Sequence, residues 1–398
     1  MGKKLFLIFL FTLIALFGLY LYLNRTIKIT EAAPTTESIT EEDTQVSISN
    51  LTFLAAGDNL IHHTLFLRHQ KGNTYDFSPM YSEIKNLIQN ANFAFINQET
   101  VMAGSSYGYS GYPLFNSPQE LAHTLYDTGF NIINLANNHS MDMGAEGLYD
   151  TLDFLATIQG LEVIGARRSG DSHKIFTANN ISIGILSYTY AVNAFHLPQD
   201  NPNLVSLITE RRMSREINIL RPQCDFLIVS MHWGDEYSLQ PSARQKDLAR
   251  FFAEHNVDVI AGHHPHVLQP VEVLNRPDGG TTICFYSLGN FVSHQRGKER
   301  HLGGIMLVTF TKELGNDHIK KHISNFGLIP IINHFEKSYT NTKVYPLYNY
   351  NEELLSKHLE RIEDNDMTFD FFNSILSRLG TNIIMETPKI LNRIPEFP

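Results

Sequence analysis

The 398-residue sequence has only two cysteines, Cys224 and Cys284. Both lie in or beside apolar runs, and neither has the C-x-x-C spacing of a zinc knuckle or a redox centre. Because free cysteine behaves as a small hydrophobic residue, two buried thiols are the first expectation. A disulfide is the alternative, should this part of the chain lie in an oxidising compartment.

Long basic runs are also missing. Lys and Arg together number 31 and Asp and Glu 41, which gives a formal net charge of −10. Proteins that bind nucleic acid concentrate positive charge on one surface, so this composition argues against general nucleic-acid binding. The content of 43% hydrophobic and 18% charged residues is typical of a folded protein.

No acidic residue occurs before residue 26, and positions 5–23 are all apolar, Gly, Thr or Tyr. A helix over these positions would be roughly 29 Å long at about 1.5 Å per residue, enough to cross a bilayer. Tyr20 and Tyr22 stand where a cleavable signal peptide, the alternative, needs small residues, so we expect residues 1–25 to form an uncleaved, single-pass membrane anchor. Two preceding lysines favour a cytoplasmic N-terminus, which would place the rest of the chain outside the cytoplasm at the cell membrane.

Three segments follow the predicted anchor. Residues 26–50 are rich in Thr, Ser and Glu and are predicted to be a flexible linker. Residues 51–310 alternate short apolar runs with helical patterns and contain no internal repeat, which predicts an α/β domain with a buried sheet. Residues 311–398 begin with a more polar stretch and are predicted to form a C-terminal extension.

Two helices have clear local signals. The run Ser117–Glu120 offers an N-cap Ser, a Pro at the first helical position and a Glu two residues later, and Gly129 would end this helix. Within residues 242–256 the apolar side chains recur at spacings of three and four, which predicts a helix packed on a sheet.

Six apolar runs that are predicted as strands end in a side chain able to bind a metal or to form hydrogen bonds. The residues at or just beyond these ends are Asp58, Glu99, His139, His232, His266 and Asn290. Ligands of open α/β sheets collect outside the carboxyl ends of the strands, so we expect these side chains to meet at one edge. Two carboxylates, an Asn and several imidazoles form the N/O donor set that suits Zn²⁺, Mn²⁺ or Fe.

The run His263-His264-Pro265-His266 allows a finer prediction. The residue before a proline favours extended backbone, in which side chains two positions apart share one face. His264 and His266 are therefore expected to point the same way and His263 the opposite way, although a kink could exchange His263 with His264.

Each of these residues also has a purely structural interpretation when taken alone. Asp58 after a glycine suits a turn, Glu99 suits a helix start, and residues 137–139 suit a polar loop. A tract rich in Tyr and Gly, residues 107–112, is predicted to be either a loop over the site or a plain solvated loop, and the P-loop pattern is absent. The joint occurrence of so many candidate ligands at strand ends favours one shared site.

Taken together, the motifs resemble those of the CapA or PGA-cap proteins of bacterial capsule synthesis, a branch similar to the calcineurin-type metallophosphoesterases. The resemblance spans roughly residues 52–296. Its motifs are Ala56-Gly-Asp58, Asn97-Gln-Glu-Thr100, Leu135-Ala-Asn-Asn-His139 with Asp142 and Gly144, His232-Trp-Gly234, Gly262-His-His-Pro-His-Val267 and Ser287-Leu-Gly-Asn-Phe291. The resemblance implies an α/β fold, a four-layer αββα sandwich, with a two-metal centre at the strand ends.

The same resemblance implies roles for individual residues. The implied metal ligands are Asp58, Glu99, Asn138, His232, His264 and His266. Asp58 and His266 would hold the first metal, Asn138, His232 and His264 the second, and Glu99 would take the bridging position. His139 would act as general acid, Asp142 belongs to the same catalytic motif, and Asn290 would bind substrate.

The first motif departs from the phosphoesterase pattern. That pattern begins with Asp-x-His, whereas here Asp58 is followed by Asn59 and Leu60. His62 and His63 stand where many family members have Gly-Arg. We predict that these two histidines either supply the missing imidazole or bind an anionic substrate.

The activity that the resemblance implies is hydrolysis or transfer at a phosphoester or a γ-glutamyl amide, with two divalent ions of Mn, Fe or Zn. The implied partners are an anionic envelope polymer, poly-γ-glutamate, and the membrane subunits of a capsule synthase. Two alternatives are a non-catalytic subunit that handles the polymer, and a phosphoesterase of the cell surface.

Overall fold

The computed structural model describes residues 47–170, 173–315, 318–380 and 383–385. The predicted membrane anchor and nearly all of the predicted linker lie outside these residues. Among the described residues, no helix has both the length and the apolar composition needed to span a bilayer. The described residues from Ser47 to Leu314 and from Ile319 onward belong to one compact unit.

Sixteen strands are described. They are β1 (Ser47–Asn59), β2 (Gln70–Lys71), β3 (Thr74–Tyr75), β4 (Phe93–Gln98), β5 (Ile132–Asn134), β6 (Glu162–Ile164), β7 (Lys174–Ala178), β8 (Ile181–Thr189), β9 (Phe226–His232), β10 (Val259–His263), β11 (Val271–Asn275), β12 (Thr281–Phe285), β13 (Asn290–Val292), β14 (Leu302–Leu314), β15 (Ile319–Glu336) and β16 (Thr340–Pro346).

Ten α-helices are described. They are α1 (His63–Arg68), α2 (Ser78–Tyr81), α3 (Lys85–Gln89), α4 (Glu120–Thr128), α5 (Gly144–Leu155), α6 (Glu210–Leu220), α7 (Ala243–Glu254), α8 (Glu352–Lys357), α9 (Leu359–Glu363) and α10 (Phe369–Leu376).

Two large sheets organise these strands. Sheet 1 has the order β16-β15-β14-β1-β4-β5-β6, with β13 also paired to β1, and sheet 2 has the order β11-β12-β10-β9-β8-β7. In sheet 1, β1, β4, β5 and β6 are parallel, and in sheet 2, β8, β9, β10 and β12 are parallel. The mixed α/β class is therefore confirmed, and the parallel strands bring their carboxyl ends to a common edge within each sheet.

The two sheets pack face to face. Successive side chains of a strand point to opposite faces, so Phe53 of β1 lies in one apolar cluster with Ile185 and Ile228 of sheet 2, while Leu54 lies in another. The cluster around Leu54 contains helices α1 to α5, and a third cluster packs α6 and α7 against the other face of sheet 2. Burying each such side chain contributes about 1.5–3 kcal/mol to the free energy of folding. Helices thus cover the outer faces of both sheets.

Several local expectations can be compared with these elements. Both cysteines are buried free thiols, as expected. Helix α7 begins after Ser242, whose side chain forms a capping box with Gln245. Helix α4 ends at Gly129 as predicted, but the predicted cap is wrong: Ser117 instead bonds Thr100 through their hydroxyls at 2.7 Å, so the helix begins later, without a side-chain cap.

The segment boundaries also differ from expectation. Strand β1 begins at Ser47, four residues before the predicted start of the domain. The predicted boundary at residue 310 falls inside β14, which pairs with β1 over ten residues of register. Strands β15 and β16 then extend sheet 1, so the residues after 310 continue this sheet.

The sixth apolar run does not form a single strand. Residues 286–289 leave β12 in sheet 2 and enter β13 in sheet 1, so the chain crosses between the sheets here. Two glycines allow this crossing: a Cβ on Gly57 would lie 2.0 Å from the carbonyl oxygen of Gly289, and one on Gly262 would lie 1.9 Å from that of Tyr286. The close approach also forms a hydrogen bond from the Asp58 amide to Gly289 O at 3.0 Å.

Four buried histidines connect the C-terminal residues to sheet 1. They are His294, His301, His334 and His358, and three of them have ring centroids 4.6 to 5.2 Å from that of Phe335. His334 Nδ1 lies 2.7 Å from the Tyr350 hydroxyl. Burial lowers the pKa of His334 to about 4, partly opposed by the nearby Glu336 carboxylate.

The lowered pKa of His334 predicts that the folded protein loses stability in acid. An imidazole whose pKa is depressed by folding binds fewer protons in the folded state than in the unfolded state, so its contribution to stability is complete above the unfolded pKa of about 6.5 and is lost as the pH falls. Between pH 7.5 and 5.0 we expect His334 alone to account for about 2 kcal/mol of lost stability.

The measurement compares the melting temperatures of the parent protein and His334→Gln at these two pH values in the presence of a chelator. Gln can still accept a hydrogen bond from Tyr350 but does not titrate, so the variant should lose less stability on acidification. Equal losses in the two proteins would show that His334 does not titrate as described.

Candidate metal centre

The candidate ligands lie where parallel strands of the two sheets end. Asp58 lies near the end of β1 and Glu99 directly follows β4, both in sheet 1. His232 is the last residue of β9, and His264 directly follows β10, both in sheet 2. Since β1 runs parallel to β4 and β9 runs parallel to β10, residues far apart in sequence meet at the carboxyl-end edge of each sheet.

In the described part of the chain, three groups of side chains are close enough to hold a cation, and the two that are fully buried share Glu99. One group is Glu99, His232 and His264, and the other is Asp58, Glu99 and His266. Within each group the potential ligand atoms all lie within 4.8 Å of one another. Glu99 Oε1 is 3.5 Å from His232 Nε2 and 3.8 Å from His266 Nε2, so one carboxylate faces both groups.

The Glu99 carboxylate has an environment that favours a bound cation. It is completely buried, and neither oxygen has a hydrogen-bond partner among the described residues. Burial raises the pKa of Glu99 well above its ordinary value, and the Asp58 carboxylate raises it further. An unpaired buried carboxylate is costly, and a divalent cation would remove that cost, so the donor set fits a metal.

Asp58 differs from Glu99 because it has hydrogen-bond donors. Burial raises its pKa, but the hydrogen bond and charge of His266 outweigh this effect, and the net pKa of Asp58 is lowered. Asp58 Oδ2 lies 3.1 Å from His266 Nδ1 and accepts a hydrogen bond from the His264 backbone amide at 3.1 Å. Asp58 is thus held as a carboxylate within the site.

A chain of hydrogen bonds across the two sheets ends at Asp58. The Ser187 hydroxyl donates to Asn134 Oδ1 at 2.6 Å, Asn134 Nδ2 donates to Asn97 Oδ1 at 2.8 Å, and Asn97 Nδ2 donates to Asp58 Oδ1 at 2.8 Å. All donors point toward the carboxylate. This directed chain fixes the orientation of Asp58 with uncharged groups.

Two histidines of the centre, His232 and His264, have lowered pKa values. Burial lowers the pKa of His264 to about 3, and burial together with the neighbouring imidazoles lowers the pKa of His232 well below its ordinary value. His264 Nδ1 has no hydrogen-bond partner among the described residues. A neutral imidazole with a free nitrogen is the form that binds metals.

The local backbone at the His-Pro-His run corrects the predicted geometry. His264 has φ 97° and His266 has φ 59°, so the extended backbone expected before the proline is wrong. Left-handed backbone is strained for residues other than glycine, and such strain is typical of functional sites. The rings of His264 and His266 lie 5.9 Å apart, whereas His263 stacks on Phe95 with its Nδ1 3.7 Å from Asp58 Oδ1.

Asn138 lies next to the second ligand group. Its Oδ1 is 2.8 Å from His232 Nε2, and its Nδ2 donates to Asn193 Oδ1 at 3.2 Å. Asn138 Oδ1 and His232 Nε2 are therefore close enough to bind the same cation.

His139 and Asp142 form a buried pair near these ligands. His139 Nδ1 lies 2.7 Å from Asp142 Oδ2, and the same carboxylate oxygen accepts the Phe115 backbone amide at 2.8 Å. The Phe115 ring packs edge-on against His139 with centroids 4.8 Å apart. Because Nδ1 is engaged by Asp142, the imidazole is oriented with Nε2 available for proton transfer.

The three predicted substrate-binding residues have different surroundings. The Asn290 amide is engaged at both ends, since its Oδ1 lies 3.1 Å from His266 Nδ1 and its Nδ2 donates to Gln295 and to a backbone carbonyl. His62 packs against Phe115, and burial lowers its pKa to about 4. His63 is exposed on α1, and the structure brings it into neither ligand group.

The loop of residues 104–117 contributes to this region through Phe115, which contacts both His62 and His139. The letters G-x-S-x-G occur in it at residues 104–108. Ser105–Tyr107 form an exposed 3-10 turn. A nucleophile elbow needs a sharp turn from strand to helix, so this segment is not one.

Glu236 lies in none of the motifs from which the site was predicted. Its carboxylate forms a third possible group with His264 and His266, and it is exposed. Two tyrosine rings also border the centre: Tyr190 lies 4.7 Å from His264 and Tyr237 lies 6.0 Å from His266. The only available signal was position, because Glu236 and Tyr237 follow the His-Trp-Gly motif of β9 within five residues.

Tyr190 also lines a cavity of about 320 Å³, together with Trp233, Arg244 and Gln245. The cavity has both aromatic and charged walls.

The sequence of this chain is similar to proteins of bacterial capsule synthesis. Residues 52–295 match the family described as bacterial capsule synthesis protein PGA_cap. The PGA biosynthesis protein CapA of Bacillus subtilis (strain 168) is 37% identical over 182 residues, covering 44% of this chain and 46% of the relative. The capsule biosynthesis protein CapA of Bacillus anthracis is 33% identical over 187 residues, covering 45% and 44%.

This chain thus spans about half the length of these curated relatives. Among solved structures, a putative 5′-nucleotidase from Staphylococcus aureus in complex with α-ketoglutarate aligns with a TM-score of 0.44 and 15% identity. That alignment covers 77% of this chain and 57% of the other.

Because both buried ligand groups contain Glu99, we expect Glu99→Gln to weaken metal binding and to stabilise the metal-free protein. In Glu99→Gln we expect the affinity for Mn²⁺ or Zn²⁺ to fall by more than about tenfold, a loss that removing even an outer-shell group can produce. The same variant should be more stable than the parent when metal is absent, by about 1–3 kcal/mol, because the metal-free parent must bury Glu99 either as an unpaired carboxylate or, through its raised pKa, as a carboxyl that has taken up a proton.

The measurements are a metal titration and melting temperatures with and without chelator. Glu216→Gln is the matched control, because Glu216 is also buried but bonds the Tyr188 hydroxyl at 2.8 Å outside the centre. A Glu99→Gln protein that binds metal as tightly as the parent would contradict the shared-ligand arrangement.

Proposed function

This chain belongs to the PGA_cap family of bacterial capsule synthesis proteins, and from that premise we propose that it is a metal-dependent hydrolase acting on an anionic γ-linked glutamate polymer. The observation that carries the proposal is the buried, unpaired Glu99 carboxylate shared by two ligand groups. A scaffold with no catalytic role would have no need for such a costly arrangement.

We assign the ligands by their placement. Asp58, Glu99 and His266 would hold one divalent cation, and Glu99, His232 and His264 would hold the other, with Asn138 beside the second. Mn, Fe and Zn all suit this mixture of carboxylate and imidazole ligands. The packing of two sheets between helices is also the arrangement that the resemblance to metallophosphoesterases implies.

Bound divalent cations would supply Lewis acidity, which polarises a phosphoester or amide oxygen and acidifies water. The chain's own contribution to the reaction is the transfer of a proton. His139 would donate a proton from Nε2 to the leaving group, and Asp142 at Nδ1 stabilises the protonated ring and holds it in position. Phe115 packs against the same ring and limits its rotation.

The polymer assignment follows from the names of the relatives, one a PGA biosynthesis protein and the other a capsule biosynthesis protein. With a net charge of −10, the chain as a whole repels a polyanion. Attraction must therefore come from local positive charge, namely the cations and the nearby basic side chains.

A second candidate function is a non-catalytic, polymer-handling subunit of a capsule synthase. It is favoured by the first motif, where Leu60 stands in place of the phosphoesterase histidine. Asn59 also turns away from the centre, since it bonds Gln98 at 2.7 Å and Tyr81 at 3.0 Å. The group around Asp58 therefore has one imidazole fewer than the phosphoesterase pattern.

The location of this activity is a separate proposal. The apolar positions 5–23 support a single-pass anchor that holds the domain at the outer face of the cell membrane, close to synthase subunits. A protease-protection assay on intact protoplasts tests this orientation.

The enzyme proposal predicts a specific effect of His139→Gln. With the chain loaded with Mn²⁺, we expect turnover of a γ-linked glutamate decamer to fall by about 10²–10⁴-fold, because general acid catalysis is lost. Hydrolysis of a phosphodiester with a nitrophenolate leaving group should fall much less, because that leaving group needs no proton.

Metal content is measured in the same samples and should equal that of the parent. If the parent cleaves only the phosphodiester, it is a surface phosphoesterase. If it binds metal and decamer but cleaves neither substrate, the polymer-handling subunit is the correct function.

A further inference from the structure

The loop between β13 and β14, residues 293–301, contains three basic side chains with different surroundings. Arg296 pairs with Glu360 at 2.7 Å and with Glu363. Lys298 pairs with Asp364 at 3.1 Å. Two of the three positive charges are thus neutralised by acidic residues in and just after α9.

Arg300, the third, has no carboxylate within ion-pair distance among the described residues. Its guanidinium lies over the Tyr237 ring, 3.5 Å from the ring centroid, and donates to the backbone carbonyl of Arg296. Tyr237 in turn contacts His266, and its backbone amide donates to Pro265 O at 2.8 Å. The Tyr237 ring therefore lies between the half-buried Arg300 guanidinium and His266, a candidate ligand.

The C-terminal residues hold this loop in place. The Glu360 carboxylate receives hydrogen bonds from Arg296 Nε and from the Gly297 amide, the latter at 3.1 Å, and lies 3.5 Å from His301 Nε2. Asn290 also holds the loop in place, since its Nδ2 donates hydrogen bonds to Gln295 Oε1 and to the carbonyl of Arg300. Arg300 is consequently positioned before any ligand arrives, which lowers the entropy cost of binding.

We propose that Arg300 is a substrate-binding residue that holds an oxyanion, specifically a carboxylate of a γ-linked glutamate chain, next to the centre. The inference rests on the proposed function for the identity of the polymer, but the location of Arg300 does not. A guanidinium offers planar pairs of donors that match a carboxylate, and Arg300 uses one nitrogen, Nη1, for the carbonyl of Arg296, so its other nitrogens can donate to a ligand.

Phosphate presents the same oxyanion chemistry, so inorganic phosphate is the second ligand to be tested. The protein used is the full chain loaded with Mn²⁺, and the probes are a γ-linked glutamate decamer, the same decamer with carboxamides in place of its carboxylates, and inorganic phosphate. Dissociation constants are measured by calorimetry for the parent, Arg300→Gln and Lys298→Gln.

Lys298→Gln is the matched control because it removes the same charge from the same loop. We expect Arg300→Gln to weaken decamer binding by at least about tenfold and Lys298→Gln to change it less than about twofold, in line with the strength of charge-assisted hydrogen bonds. The carboxamide decamer should bind the parent and Arg300→Gln equally weakly. Metal content should be the same in all three proteins.

Each outcome bears on the proposal. Equal decamer binding by the parent and Arg300→Gln overturns the role of Arg300 but leaves the polymer function standing. If Arg300→Gln loses phosphate and the parent does not bind the decamer, the oxyanion role is supported and the polymer function fails. If the parent binds neither probe, the inference is overturned.

Arg300→Lys, which keeps the positive charge, tests the proposal even if Arg300→Gln is destabilised. Arg300→Lys retains the stacked cation but loses the planar donor pair, so its decamer affinity should lie between those of the parent and Arg300→Gln. If Arg300→Gln melts at a lower temperature than the parent, the comparison is made with Arg300→Lys, and unchanged affinity there overturns the proposal.

Discussion

Two fully buried carboxylates, Asp58 and Glu99, lie at the meeting point of the two sheets, and the surrounding structure compensates their charges unequally. Asp58 receives donors from a directed chain of amides, a backbone amide and His266, whereas both oxygens of Glu99 have no partner among the described residues. Buried charge is tolerated only when it is paired or bound to a cation. Burial lowers the pKa values of His232 and His264, so these two imidazoles leave the negative charge of Glu99 uncompensated and complete a site suited to a cation.

The approach of the two sheets depends on the crossing at residues 286–289. Gly57 and Gly262 have no side chain where the crossing backbone passes, and hydrogen bonds join the crossing to both strands. Sheet 1 provides the carboxylates, and sheet 2 provides the imidazoles. The crossing links the sheets covalently at the edge where the two kinds of ligand must meet, so the fold itself sets their spacing.

The sequence was sufficient to predict the α/β class, the strand ends that carry the candidate ligands and the proximity of Glu99 to His232 and His266, because buried parallel strands are recognisable as apolar runs. It did not predict that the sixth run divides between two sheets, since periodicity carries no information about which sheet a strand joins. Left-handed backbone at His264 was also missed, because tertiary contacts there override the local preference of a residue before proline. Arg300 and Glu236 reach the site only through folding, and no motif contains them.

The amide chain that runs from Ser187 through Asn134 and Asn97 to Asp58 has a consequence for the ageing of the protein. Each asparagine acts as donor at one end and acceptor at the other, so conversion of either amide to an acid would remove a donor and add a negative charge to the chain that ends at the Asp58 carboxylate. Deamidation requires water and a mobile backbone, and both side chains are completely buried on regular strands. The burial that orients Asp58 thereby also preserves the covalent composition of its surroundings over the lifetime of the molecule.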